Sequence, residues 1–229
     1  MSDPAADEKY AWKEIPGSSH DRLRRRLRDL PAGLRLLDLG AAGGHLGRAL
    51  RDHCEFLAGV EPDEMVPESA RQGYDDWRQT DALAAGTWER PFDVVVCADV
   101  LEHMPRPEEL LRRIRGWLRP GGTLLVSLPN VANITVRASL LAGRFPYAER
   151  GILDRTHLRF YTRESARALI AGAGFSIRAV EATAMPYELA VSALALPPWR
   201  DPVRGFANAS ARVWPTLFGY QFIVDAVSR

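Results

Sequence analysis

Cysteine, lysine and long apolar runs are all scarce in this 229-residue chain. Two cysteines, Cys54 and Cys97, cannot build a disulfide framework, and neither stands in a C-x-x-C spacing. Both are expected to stay reduced, as in a cytoplasmic compartment. Lysine occurs at Lys9 and Lys13, and arginine supplies the rest of the positive charge. Lys plus Arg is 30 and Asp plus Glu is 29, a formal net charge of +1. A near-neutral chain has no global field to gather nucleic acid or an anionic membrane, so neither partner is expected. No apolar run reaches the ~18 residues of a membrane span. The stretch Leu189–Pro198 is too short and ends in Pro-Pro. The opening MSDPAADEKYAWKE is polar and acidic, unlike a signal peptide.

The hydrophobic share of 46% and charged share of 26% are those of an ordinary globular protein. The length fits one domain, residues 1–229, able to bury roughly 70% of its unfolded surface. Residues 1–30 read as an N-terminal arm and helix, with Leu23, Leu27 and Leu30 forming one apolar stripe. The arginines opposite that stripe resemble a nucleic-acid patch, but a solvated helix face is the plainer reading. Short apolar runs follow at Arg35–Leu39, Phe56–Val60, Phe92–Ala98, Thr123–Leu128, Phe175–Val180 and Tyr220–Val227. Helices are expected between them at Leu46–Arg51, Pro62–Gln72, Pro107–Leu118 and Thr162–Ala173. Alternating strands and helices predict an α/β fold, a mostly parallel sheet covered on both faces. Residues 130–161 and 184–216 break the alternation and carry many aromatics and prolines, as lids and binding loops do.

The strongest local signal is LRLLDLGAAGGHLGRAL, residues 34–50, an apolar strand, a glycine-rich turn and a helix. Doubly wound sheets bind ligands at such a turn, where helix N–H groups face an anionic group. A dinucleotide fingerprint starting at Gly40 fails at its third glycine, which is His45. The pattern acidic-x-Gly-x-Gly-x-Gly fits as Asp38-x-Gly40-x-Ala42-x-Gly44, with one glycine replaced by alanine. This turn resembles the nucleoside loop of class I S-adenosylmethionine-dependent methyltransferases. Glu61, ending the second strand in GVEP, can accept both ribose hydroxyls.

Later landmarks keep the order of that family. FDVVVCADVLEHMPRPEELLRRIRGWLRPGGTLLVSLPN, residues 92–130, is similar to the type 11/type 12 branch, and the likeness resumes at residues 157–175. WPTLFGYQFIVDAVSR resembles the branch's last antiparallel strand. The resemblance implies a Rossmann-like seven-stranded sheet, six strands parallel and the last antiparallel, with acceptor-side lid insertions. It implies S-adenosylmethionine bound by Asp38, Gly40, Ala41, Ala42, Gly44, Glu61, Pro62, Asp81, Ala82, Cys97 and Ala98, with Asp81 on the adenine amino group. It also implies a small-molecule acceptor and an enzyme that is a monomer or homodimer.

Three residues of DVLEH bear on the chemistry. On a helical turn Asp99, Glu102 and His103 share one face, and two carboxylates with an imidazole suit a divalent cation such as Mg²⁺. Ubiquinone-pathway O-methyltransferases and small-RNA 2′-O-methyltransferases resemble this with Glu-x-x-Glu-His binding a metal; here Asp99 replaces the first Glu. Many members of the branch carry the pentapeptide without metal. His157 follows the first insertion and is expected as a general base, a further metal ligand or a helix-start residue. The catalytic candidates are therefore His103, His157 and Asp99. His45 is placed at the cofactor turn, and His20 and His53 at the surface. Residues 127–162 resemble a subgroup found near glycosyltransferases and secondary-metabolite enzymes. Its arginines 137, 144, 150, 155 and 159, with Phe145, Tyr147 and Phe160, suit a sugar, a nucleotide-sugar or an acidic aromatic. Expected activity is O-methylation of a small molecule. N-methylation, RNA 2′-O-methylation and a non-catalytic nucleoside-binding subunit are the rivals.

Overall fold

The structure, a computed structural model, describes residues 16–185 and 200–229. Helix α1 (Ser19–Arg28) starts where the Ser18 hydroxyl accepts the Asp21 N–H. It buries Leu23 and Leu27 completely. Its arginines are not a bare patch: Arg24 and Arg25 pair with Asp21, Arg26 with Asp225, Arg22 with Glu181 and Arg28 with Asp52.

Seven strands form one sheet: β1 (Leu34–Leu39), β2 (Cys54–Glu61), β3 (Asp76–Gln79), β4 (Phe92–Ala98), β5 (Leu118–Pro129), β6 (Phe175–Ala182) and β7 (Gln221–Ser228). Their order is β3-β2-β1-β4-β5-β7-β6. β7 runs antiparallel to both neighbours and the other strands run together, as the resemblance implies. Alternate residues divide the core into two layers. Leu37, Leu39, Val95, Cys97, Leu124 and Val126 face α3 (Pro107–Trp117) and α5 (Arg163–Gly172). Leu36, Val94, Val96, Leu125 and Ile223 face α1 and α2 (His45–Leu50). Both layers are dry, which explains why β4 is apolar on both parities.

Two expectations need correction. Pro62–Gln72 is not an α-helix; it holds a single 3₁₀ turn at Glu68–Arg71. Pro67 lacks the N–H a continuous helix needs and disfavours helical backbone at Val66. The edge strand β3, DWRQ, gave no apolar signal because all four residues are only half-buried. The first insertion contains helix α4 (Ile134–Leu141), capped by the Asn133 side chain. In the second, α6 (Arg200–Val213) and the short α7 (Pro215–Phe218) precede β7. Residues 186–199 of that insertion and 1–15 of the arm lie outside the described residues. Among the described residues no helix is long and apolar enough to cross a membrane.

Register sets up the site. Leu39 stands opposite Val60 on one side and Cys97 on the other, and Glu61 opposite Gln79. Gly40, Glu61 and Ala98 therefore leave the sheet side by side on one rim, with Asp81 just beyond β3.

Candidate active site

A cavity of about 450 Å³ opens along this rim. Asp38, Gly40, Ala41, Ala42, Glu61, Pro62, Asp81, Ala82 and Ala98 line it, as do Asp99 and His103. Its described lining holds four carboxylates, Asp38, Glu61, Asp81 and Asp99, and neither Lys nor Arg. His20 also lines it, from the first turn of α1, so the expected surface position is wrong for this residue. A signal existed: an imidazole at the start of a helix whose leucine stripe docks it beside the first strand.

Cys97 and Gly44 do not line the cavity. Strand alternation turns the Cys97 side chain into the core, where it is fully buried. Gly44 adopts φ +68° at the start of α2, and a Cβ there would lie 2.7 Å from the Ala70 carbonyl carbon. Its small size serves a backbone-to-backbone approach, which fixes the turn from behind.

Ala42 occupies a left-handed conformation, φ +46°, where the pattern has glycine. Its N–H donates to Glu61 Oε2 at 2.8 Å, and the Asp63 N–H donates to Oε1 at 2.9 Å. Left-handed backbone costs an L-residue ~1–2 kcal/mol, of which glycine's extra unfolded entropy offsets about half. Ala42→Gly is therefore expected to stabilise the protein by about 0.5–1 kcal/mol and raise Tm by a few degrees. Calorimetric melting checks this; an unchanged or lower Tm would show that the turn relaxes around the methyl.

Asp38 is buried and accepts the Tyr74 hydroxyl at 2.7 Å. Burial pushes its carboxyl up to about 7, against the lowering by Tyr74. A cationic ligand in the cavity would draw that proton off. Tyr74 escaped the sequence reading, yet its ring fills the space over Gly47 and Gly59, where either Cβ would overlap it. The spacing of those glycines is the signal that could have found it.

The structure divides the expected metal set. Asp99 takes φ +54°, so residues 99–103 do not form the regular helical turn that would align all three side chains. Its Oδ1 accepts the Ser127 hydroxyl at 2.6 Å and the Gln221 amide at 2.8 Å. The residues whose ligand atoms meet are Glu102, His103 and His157, all within 4.8 Å of one another. Glu102 is 1% exposed, and neither carboxylate oxygen has a hydrogen-bond partner among the described residues. Burial drives its carboxyl well above the usual range, and Asp99 adds to the shift. The His103 and His157 rings meet edge-to-face with centroids 4.8 Å apart. His157 Nδ1 lies 3.1 Å from the Ile152 carbonyl, and burial lowers its pKa below the ordinary histidine value. Phe160, Phe145 and Tyr147 continue the aromatic series from His157.

A cleft at the carboxyl rim of such a sheet, with a glycine turn and an acid ending β2, defines a Rossmann-like nucleoside-binding fold. The family model described as a methyltransferase domain matches residues 10–180, and the chain belongs to that family. That model places a methyltransferase domain over three quarters of the chain. The chain is 34% identical to the ubiquinone biosynthesis O-methyltransferase of Caulobacter vibrioides over 152 residues, 61% of this chain and 58% of that one. Identity to the enzyme of the same name from Coxiella burnetii is 28% over 104 residues, 43% and 44% of the two chains. The chain thus spans about half the length of the curated relatives it matches. In fold it is similar to the N-methyltransferase NodS of Bradyrhizobium japonicum, solved with S-adenosyl-L-homocysteine. The TM-score there is 0.59 at 14% identity, covering 98% of this chain and 96% of that one. The cavity fits the cofactor: carboxylates without cations suit a ligand bearing a sulfonium and an ammonium, and the glycine turn admits its nucleoside.

Proposed function

We propose that the chain methylates a hydroxyl oxygen of a small molecule, with His157 taking the proton. S-adenosylmethionine supplies an electrophilic methyl on sulfonium. The protein must align the acceptor with it and accept the hydroxyl proton. The observation that carries the reading is the ring contact between His103, which lines the cavity, and His157 beside it. The Ile152 carbonyl accepts from Nδ1, which puts the proton there and leaves Nε2 as acceptor. With its pKa lowered, His157 is neutral at pH 7 and ready to receive a proton.

The aromatic series favours a phenolic acceptor within the small-molecule class. Phe160 stands next to His157 and Phe145 next to Phe160, and both offer stacking faces. Three arginines of the insertion are already engaged, Arg137 and Arg159 on backbone carbonyls and Arg155 on Glu149, which weakens the sugar and nucleotide-sugar readings. The α1 arginines are also paired, which weakens an RNA acceptor. In this reading residues 1–229 act as one methyltransferase domain, and 130–161 and 184–216 shape its acceptor side. Similarity to ubiquinone O-methyltransferases supports oxygen as the methylated atom.

The unpartnered Glu102 carboxylate favours a second reading, a divalent cation held by Glu102, His103 and His157. A cation there would ionise Glu102 and acidify an acceptor hydroxyl. Titration with Mg²⁺, Mn²⁺ and Zn²⁺, repeated on Glu102→Gln, separates the two. Base catalysis predicts no specific binding heat and full activity in chelator. Saturable heat lost in Glu102→Gln, with activity lost in chelator, would replace the base by the metal.

A further inference from the structure

Asp99 is held in an unusual way at the cavity wall. Its left-handed backbone is sparsely populated by side-chain-bearing residues, Asn and Asp being the usual exceptions. Such a conformation persists when its surroundings over-determine it, and those surroundings are visible. The Asp99 N–H donates to the Ser127 hydroxyl oxygen at 3.0 Å. The same hydroxyl donates back to Asp99 Oδ1 at 2.6 Å. The Gln221 side-chain amide donates to that oxygen at 2.8 Å. Ser127 is completely buried on β5, and Gln221 opens β7, two strands that lie beyond β4 in the sheet. All these contacts fall on the backbone N–H and Oδ1, and none of the described hydrogen bonds engages Oδ2.

Sheet order says which part of the cofactor this oxygen meets. Asp81 follows β3, Glu61 ends β2, the glycine turn follows β1 and Asp99 follows β4. The order β3-β2-β1-β4 puts Asp81 and Asp99 at opposite ends of the lining. With the nucleoside toward Glu61 and Asp81, the cationic amino-acid end extends toward Asp99.

We propose that Ser127 and Gln221 are positioning residues that aim Asp99 Oδ2 at the cationic amino-acid end of the methyl donor. Neither touches the cofactor; each acts through Asp99. The inference rests on the cofactor and is independent of the acceptor and of any metal.

The test compares two ligands by calorimetry, on the full chain and on Gln221→Leu, Ser127→Ala and Ser127→Thr. S-adenosylhomocysteine carries the ammonium; 5′-methylthioadenosine has the nucleoside without the amino-acid part. Losing a hydrogen bond to a charged group weakens binding steeply, so the S-adenosylhomocysteine Kd should rise about tenfold or more in Gln221→Leu and Ser127→Ala. The 5′-methylthioadenosine Kd should stay within about twofold, and Ser127→Thr, which keeps the hydroxyl, should restore most of the loss. Gln221 is partly exposed, so its leucine variant tests the idea even where the buried Ser127 variants fail to fold. Equal losses for both ligands in a folded Gln221→Leu protein would reduce the network to a structural brace and overturn the proposal. Unchanged S-adenosylhomocysteine binding would overturn it as well.

Discussion

Gly44→Ala is expected to yield a protein that melts well below its parent and no longer binds S-adenosylhomocysteine. Two costs coincide at this position. The backbone is left-handed, and the new methyl would overlap the carbonyl of Ala70. Left-handed backbone costs ~1–2 kcal/mol and forced overpacking a further ~1–3 kcal/mol. The obstacle is main chain, which no rotamer change can clear. Relief requires the turn 41–44 to separate from the segment around Ala70, and that turn is one wall of the cavity. Binding should therefore fail even at temperatures where the variant stays folded. Melting and calorimetric titration together check this; normal binding with an unchanged melt would show that the two segments are free to part.

His157→Ala is expected to lower kcat by about 100- to 10,000-fold on a hydroxyl acceptor, the usual contribution of a positioned base. Affinity for S-adenosylhomocysteine should hardly change, because His103, and not His157, lines the cofactor cavity. The side chain also binds the Ile152 carbonyl, so truncation could loosen the insertion. His157→Gln keeps a donor for that carbonyl and supplies a much weaker base. Loss in both variants with intact cofactor binding, in a parent protein fully active in chelator, identifies proton transfer. Rescue in the glutamine variant would assign His157 to loop structure, and full activity in both would favour an acceptor needing no deprotonation, such as an amine.

What could be read from residues alone follows physical contrast. β1, β2, β4 and β5 carry dense apolar runs because both of their faces are covered, and their ends lie within two residues of expectation, except that β5 starts at Leu118 rather than Thr123. β3 was illegible because an edge strand need not be apolar. Pro62–Gln72 holds only a short turn because Pro67 interrupts the helical hydrogen bonding that its position between two strands suggests. In the cavity, Asp38 and Glu61 are legible because strand ends and turn chemistry are local, whereas Asp81 is placed there only by the family resemblance. Asp99 was grouped with Glu102 and His103 on the assumption of regular helical backbone, and one left-handed residue redirects its carboxylate to β5 and β7. Tyr74 and Gln221 were invisible for a related reason. Each reaches the site from a strand or loop far away in sequence, and no local pattern encodes such a partner.

The placement of β7 also governs the order of assembly. Among the described residues β6 pairs with β7 alone, and β7 joins it to β5. Strands β1 to β5 can zip together through short crossovers as soon as they exist. β6 must wait, unpaired, for a segment that begins about forty residues after it ends. Closing so long a loop before any pairing is gained slows this step relative to the rest. Gln221 arrives with the same strand, so a folding intermediate holding β1 to β5 would have its glycine turn in place while Asp99 still lacked one of its anchors.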